Sequence, residues 1–144
     1  MDKLNEFVEK YKDKYINFDD MHGPQCMDLY RQYVEEVLGF EQSKKVSIAY
    51  QVWFYHQPEL YEKIKRTKDN YPIAGDIVIW FWAYGGTGHI AVAVDGGEGY
   101  AVCFSQNDPG GSPCILKKYS YSQFSGRQIV GWLRPRKKSA QVDS

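Results

Sequence analysis

The hydrophobic period of the chain changes once, near Tyr71-Pro72, and that change limits the folds open to it. Before it, apolar residues recur three and four apart. Leu4, Phe7, Val8 and Tyr11 mark an amphipathic helix ending near Tyr15, and Cys26, Leu29, Tyr30, Tyr33, Val34 and Val37 mark a second that stops around Gly39. Ser47 to Tyr55 and Pro58 to Ile64 read as shorter helical pieces, interrupted by β-branched and aromatic residues. After it, Ile77 to Trp82, Ile90 to Val94, Tyr100 to Ser105, Cys114 to Lys117 and Ile129 to Leu133 are short strand-like runs, separated by glycine-rich turns such as Asp95-Gly96-Gly97. Helices first and strands afterwards predict an α+β fold, with N-terminal helices packed on an antiparallel sheet of about five or six strands. The 144 residues suit one domain, assigned to 1–135, with 136–144 as a tail or a linker cut short.

Charge and cysteine count narrow the chemistry. The 18 Lys plus Arg balance 18 Asp plus Glu, so nothing in the net charge recruits nucleic acid or an anionic membrane surface. No apolar run approaches the roughly 20 residues needed to span a bilayer, and Met1 leads into the charged DKLNEFVEKYKDK rather than a signal peptide. Synthesis in the cytoplasm without a signal peptide is therefore expected. Three cysteines cannot all pair, so at least one thiol stays free.

Cys26 is the thiol that its setting singles out. Gly23 and Pro24 precede it, as at a helix start, and it opens the buried face of the second helix. There the positive end of the helix dipole favours thiolate over thiol. Cys103 and Cys114 lie inside strand-like runs, where a small buried thiol packs rather than reacts. A thiol nucleophile needs a base, and the chain offers three histidines. His22 shares the loop with Cys26, and His56 lies in the polar segment YHQPE. His89 opens the strand HIAVAV beside Gly88, which removes bulk there, and is the best base. Asn107, at the end of the next strand, has the chemistry to accept the imidazole proton and fix the tautomer. Gln25 and the Cys26 amide are candidate oxyanion donors. An early cysteine, a much later histidine and a polar residue on the following strand follow papain-like logic. The aromatics Trp80, Trp82, Tyr84 and Trp132 are candidates for a groove wall or for the core.

GPQCMDL, AGDIVIWFWAYGGTGHIAVAV, FSQNDPGG and IVGWLRP, in this order, resemble the successive motifs of the CHAP family, the cysteine- and histidine-dependent amidohydrolases and peptidases common in bacteriophage endolysins. The match runs from about Asn17 to Pro135. It implies a peptidoglycan hydrolase that cleaves an amide bond, as an N-acetylmuramoyl-L-alanine amidase or a peptide endopeptidase, through an acyl-enzyme. The family's nucleophile falls on Cys26 and its base on His89. Where the family often carries a glutamate two residues before an asparagine, this chain has Ser105, while Asn107 matches; either Asn107 alone orients the imidazole or Asp108 takes over part of the task. Some phage CHAP domains bind calcium in a loop similar to the one here, in which Asn17, Asp19, Met21, Gly23 and Asp28 occupy the first, third, fifth, seventh and twelfth places of an EF-hand-like spacing. Here asparagine replaces aspartate at the first place, histidine stands at the sixth, and aspartate replaces glutamate at the twelfth. The resemblance also implies peptidoglycan as partner, a C-terminal cell-wall-binding domain in the full-length protein, and action on the wall after release from the host cytoplasm. The alternatives are an NlpC/P60-type endopeptidase, whose DCSG-like start QCMD does not match, and a non-catalytic wall-binding module that keeps the fold.

Overall fold

The computed structural model describes residues 2–20, 23, 25–44, 46–81 and 86–137. Met21, His22, Pro24, Trp82 and Tyr84, with the tail from 138 onward, lie outside the described residues. Helix α1 spans Asp2–Tyr11, shorter than its periodicity suggests, because Asp13 turns left-handed (φ 66°) and the chain then pairs with the main chain of Cys114. Helix α2 spans Cys26–Tyr33 and continues as a π-helical turn, Val34–Leu38, closed by Gly39 at φ 64°. Helix α3 is Ala49–Phe54. The strands are β1 (Tyr61–Lys65), β2 (Ile77–Trp80), β3 (His89–Gly97), β4 (Tyr100–Ser105), β5 (Ile115–Ser120) and β6 (Ile129–Pro135), with a short helix α4, Phe124–Arg127, before β6.

The six strands form one antiparallel sheet in the order β1-β6-β2-β3-β4-β5. The helical expectation for Pro58 to Ile64 is corrected: Tyr61–Lys65 is an edge strand, with Tyr61 opposite Pro135 and Lys65 opposite Gly131. Cross-strand pairing with β6 overrides the weak local pattern.

Alternation along the strands divides the core into two layers. Ile77 and Ile79, Ile90 and Val92, and Phe104 face α1 and α2 and pack with Leu4, Phe7, Leu29 and Tyr33. Val78, Trp80, Ala91, Cys103, Tyr119 and Trp132 form the other layer. Trp80 and Trp132 are thus core side chains, not walls of a groove. Asp76, buried at the start of β2, holds Arg134 of β6 through a 2.8 Å ion pair.

Candidate active site

Cys26 begins α2. Immediately before it, the carbonyl of Gln25 accepts from Nε2 of Gln106 (2.8 Å), and its amide donates to Oδ2 of Asp28 (2.8 Å). The helix start is therefore fixed from outside by Gln106, the residue just past β4, and from inside by its own first turn. The amides of Ile90, Met27 and Cys26 itself lie within reach of the Cys26 sulfur, so the thiol sits against β3 one residue beyond His89. Burial nonetheless pushes the thiol up to about 11, and those amides only partly oppose it. Desolvation thus works against the thiolate that a helix start favours.

His89 is buried at the start of β3, opposite Trp80 of β2, whose ring centroid is 4.8 Å from the imidazole. Gly88, at φ +79°, precedes it, and a Cβ there would collide with the Trp80 carbonyl. Nε2 of His89 lies 3.2 Å from Oγ of Ser105 and 4.0 Å from Oδ2 of Asp108. Burial pushes the imidazole down to about 4, with Asp108 pulling it up and Lys117 pressing it further down. Behind Ser105, the Tyr119 hydroxyl is 2.9 Å from its Oγ and donates to Oδ2 of Asp108 at 2.5 Å, while Lys117 Nζ sits 3.2 Å from the same carboxylate oxygen.

Asn107 has a different task in this geometry. Its backbone is left-handed (φ 66°), a conformation asparagine tolerates, and its Oδ1 accepts from the Gly111 amide at 2.6 Å. The residues that meet Nε2 are Ser105 and Asp108. The peptide bond between Asp108 and Pro109 is cis.

Sequence reasoning missed Gln106. This fully buried amide accepts from Ile16 N (2.7 Å), donates to Ile16 O (2.9 Å) and Gln25 O (2.8 Å), and takes the Cys114 thiol at 3.3 Å. Tyr119 and Lys117 were missed as well. The signal available was a polar run, Ser105 to Asp108, following the apolar strand Ala101 to Phe104. All three cysteines are free.

In the first turn of α2, Asp28 is buried and its Oδ1 accepts from Phe18 N (3.1 Å) and Asp19 N (3.5 Å) of the preceding loop. Burial pushes its carboxyl up, the Gln25 and Asp19 amides pull it down, and the Asp19 carboxylate, within hydrogen-bond reach, pushes it up again. Of the five loop residues singled out from the sequence, the structure brings the Asp19 and Asp28 carboxylates against each other, and carboxylate oxygens are the donor type a hard divalent cation takes. Among the described residues no three His, Cys, Asp or Glu side chains converge, so such a site would need carbonyl oxygens to complete it. Met21, the fifth place of the loop, is outside the described residues.

No protein-family model matches the chain, and no curated protein is similar to it. Among solved structures, the wild-type endolysin LysIME-EF1 is similar with a TM-score of 0.77 at 24% identity, over 97% of this chain and 65% of that one. The fold is endolysin-like. Ly7917 is similar with a TM-score of 0.67 at 17% identity, over 92% of this chain and 60% of that one. Ly7917 with the hydrolyzing product of MDP gives a TM-score of 0.56 at 15% identity, over 92% of this chain and 62% of that one. The chain therefore spans less than two thirds of the length of these neighbours.

Proposed function

We propose that this chain is a peptidoglycan hydrolase that cleaves an amide bond of the bacterial cell wall with Cys26 as nucleophile and His89 as base. The observation that carries the reading is the Cys26 sulfur lying against the Ile90 amide, at the strand end where His89 is held by Ser105. The endolysin-like fold supports it.

In this mechanism Cys26 and His89 start as a neutral thiol and a neutral imidazole. The sulfur's polar contacts in the resting state are main-chain amides, and the sulfur–imidazole contact forms as substrate binds, a tightening common in hydrolase sites. As the sulfur bonds to the substrate carbonyl carbon, its proton passes to His89. The oxyanion accepts hydrogen bonds from the Cys26 amide and the Gln25 side chain. Collapse breaks the C–N bond, and His89 returns the proton to the leaving amine. Water, deprotonated by His89, then cleaves the thioester to the acid and regenerates the thiol.

Calcium belongs to the same proposal. Asn17, Asp19, Met21, Gly23 and Asp28 would hold it, and the support is the facing Asp19 and Asp28 carboxylates. Bound there, the cation would neutralise their repulsion and stiffen the segment leading to Cys26. No catalytic step passes through it.

The test is digestion of purified Gram-positive walls followed by mass spectrometry of the fragments. New amine termini at L-alanine mark an amidase, new amine termini within the stem or cross-bridge mark an endopeptidase, and Cys26→Ala yields neither. New glycan reducing ends, or unchanged cleavage by Cys26→Ala, would overturn the proposal. The neutral thiol and imidazole also favour a second reading, a wall-binding module without activity, which wall binding with no new termini from the wild-type chain would establish.

A further inference from the structure

We propose that a one-way hydrogen-bond chain from His89 through Ser105 and Tyr119 to Asp108 locks the imidazole in the tautomer that carries its proton on Nε2. Ser105, Tyr119 and Asp108 thereby become positioning residues. The direction follows from counting protons. An ionised carboxylate only accepts, and Tyr119 has a single hydroxyl proton, which it gives to Oδ2 of Asp108 at 2.5 Å. Toward Ser105, at 2.9 Å, the phenol oxygen can then only accept, so the Ser105 hydroxyl proton points at Tyr119. Toward His89, at 3.2 Å, Ser105 Oγ is left only as an acceptor, and Nε2 must be the donor. The direct distance from Nε2 to Oδ2 of Asp108, 4.0 Å, is too long for a hydrogen bond, so the two hydroxyls carry the connection.

Lys117 keeps the chain pointing one way. Its Nζ is 3.2 Å from Oδ2 and 3.5 Å from the carbonyl of Asp108, so a cation pairs with the same oxygen that accepts from Tyr119. The members sit on three neighbouring strands and one turn: His89 on β3, Ser105 at the end of β4, Tyr119 on β5, and Asp108 between β4 and β5. Water does not compete, since His89, Ser105, Asp108 and Tyr119 are all buried. The serine at position 105 meets the ring with an uncharged hydroxyl, and the carboxylate of Asp108 is linked to it through Tyr119. Where Cys26 is the nucleophile, a clause that rests on the proposed function, this tautomer leaves Nδ1 with the lone pair that takes up the thiol proton.

The experiment is nitrogen-15 NMR of histidine-labelled protein at pH 7, where a ring with a pKa of about 4 is neutral and its tautomer is read directly from the two nitrogen shifts. His89→Gln identifies the His89 signals among the three histidines. The wild-type ring is expected as the Nε2–H form. Asp108→Ala removes the acceptor that fixes the Tyr119 proton, frees Tyr119 to donate to Ser105 and Ser105 to Nε2, and is expected to move the ring toward the Nδ1–H form. A wrong-tautomer substitution of this kind lowers turnover by about 10⁴ in serine proteases, and a loss of wall clearing on the order of 10² to 10⁴ is expected here. Tyr119→Phe and Ser105→Ala interrupt the chain without reversing it, and each should give a tautomer mixture with a smaller loss, roughly tenfold. An Nδ1–H ring in the wild-type protein overturns the proposal. So does a pure Nε2–H ring in both Ser105→Ala and Asp108→Ala; if Asp108→Ala does not fold, the wild-type and Ser105→Ala spectra decide. The tautomer is read without substrate, so its result is separable from failure of the thiol chemistry, which Cys26→Ala alone would reveal.

Discussion

A buried imidazole costs stability whenever solvent would protonate it. His89 has its pKa lowered from 6.5 to about 4 by burial, so between those values the unfolded chain takes up a proton that the folded chain refuses. The sign follows: the stabilisation from a neutral His89 is fully present above pH 6.5 and is lost as pH falls toward 4. The shift corresponds to about 3 kcal/mol. Denaturant unfolding of wild type and His89→Gln at pH 7.5 and 4.5 should show a wild-type loss larger by a good part of that amount; equal losses would mean that the ring is not buried neutral. At this same scale, the sequence makes legible the placement of Cys26 at a helix start and of His89 at a strand start, because both are local patterns. It does not reveal which neighbour meets Nε2. Asn107 is polar and correctly spaced, but a left-handed backbone claims its side chain for the turn, and nothing local in the sequence announces that Tyr119 on the next strand reaches Ser105.

Among the elements, the joint between β4 and the start of α2 carries the most consequence for the site. It is held by the Gln106 side chain, whose amide satisfies both main-chain groups of Ile16 and the carbonyl of Gln25. Gln106→Ala leaves these buried groups unpaired, at about 1–3 kcal/mol for each group that water cannot reach. A destabilisation of about 2–4 kcal/mol is expected in chemical denaturation, together with slower wall clearing. Gln106→Glu, which sets carboxylate oxygens against two carbonyls, should cost at least as much. A loss under about 1 kcal/mol for both variants would show that the joint is held by other contacts. Strands with strong β-branched runs were readable, as were α1 and α2 from their stripes. The edge strand Tyr61–Lys65 was not, since its existence depends on pairing with β6, some 70 residues later in the chain. Gln106 was equally hidden, because its partners at Ile16 and Gln25 lie 90 and 81 residues away.

For the whole molecule, the change of hydrophobic period separates α1 to α3 from the strands β2 to β6, with β1 preceding the change and the short α4 falling between β5 and β6. Asp19 lies in the loop that ties α1 to α2 and Asp28 in the first turn of α2, so a cation held by both is expected to act on global stability. At a concentration of about 100 times its dissociation constant, a ligand specific for the folded state adds about 2.7 kcal/mol. Calcium should therefore raise the Tm by roughly 8 °C for a domain of this size. Because Asp28 holds its proton more tightly than an ordinary carboxyl, the rise should shrink as pH falls, and Asp19→Asn with Asp28→Asn should abolish it. No change in Tm on adding calcium and then a chelator would remove the cation from the account and leave the thiol chemistry in place. That chemistry is tested most directly by turbidity of a suspension of Gram-positive cell walls treated with wild type, Cys26→Ala and His89→Ala, each first shown to be folded by circular dichroism. The account predicts clearing by the wild-type chain and none by either variant; equal clearing by all three would contradict it.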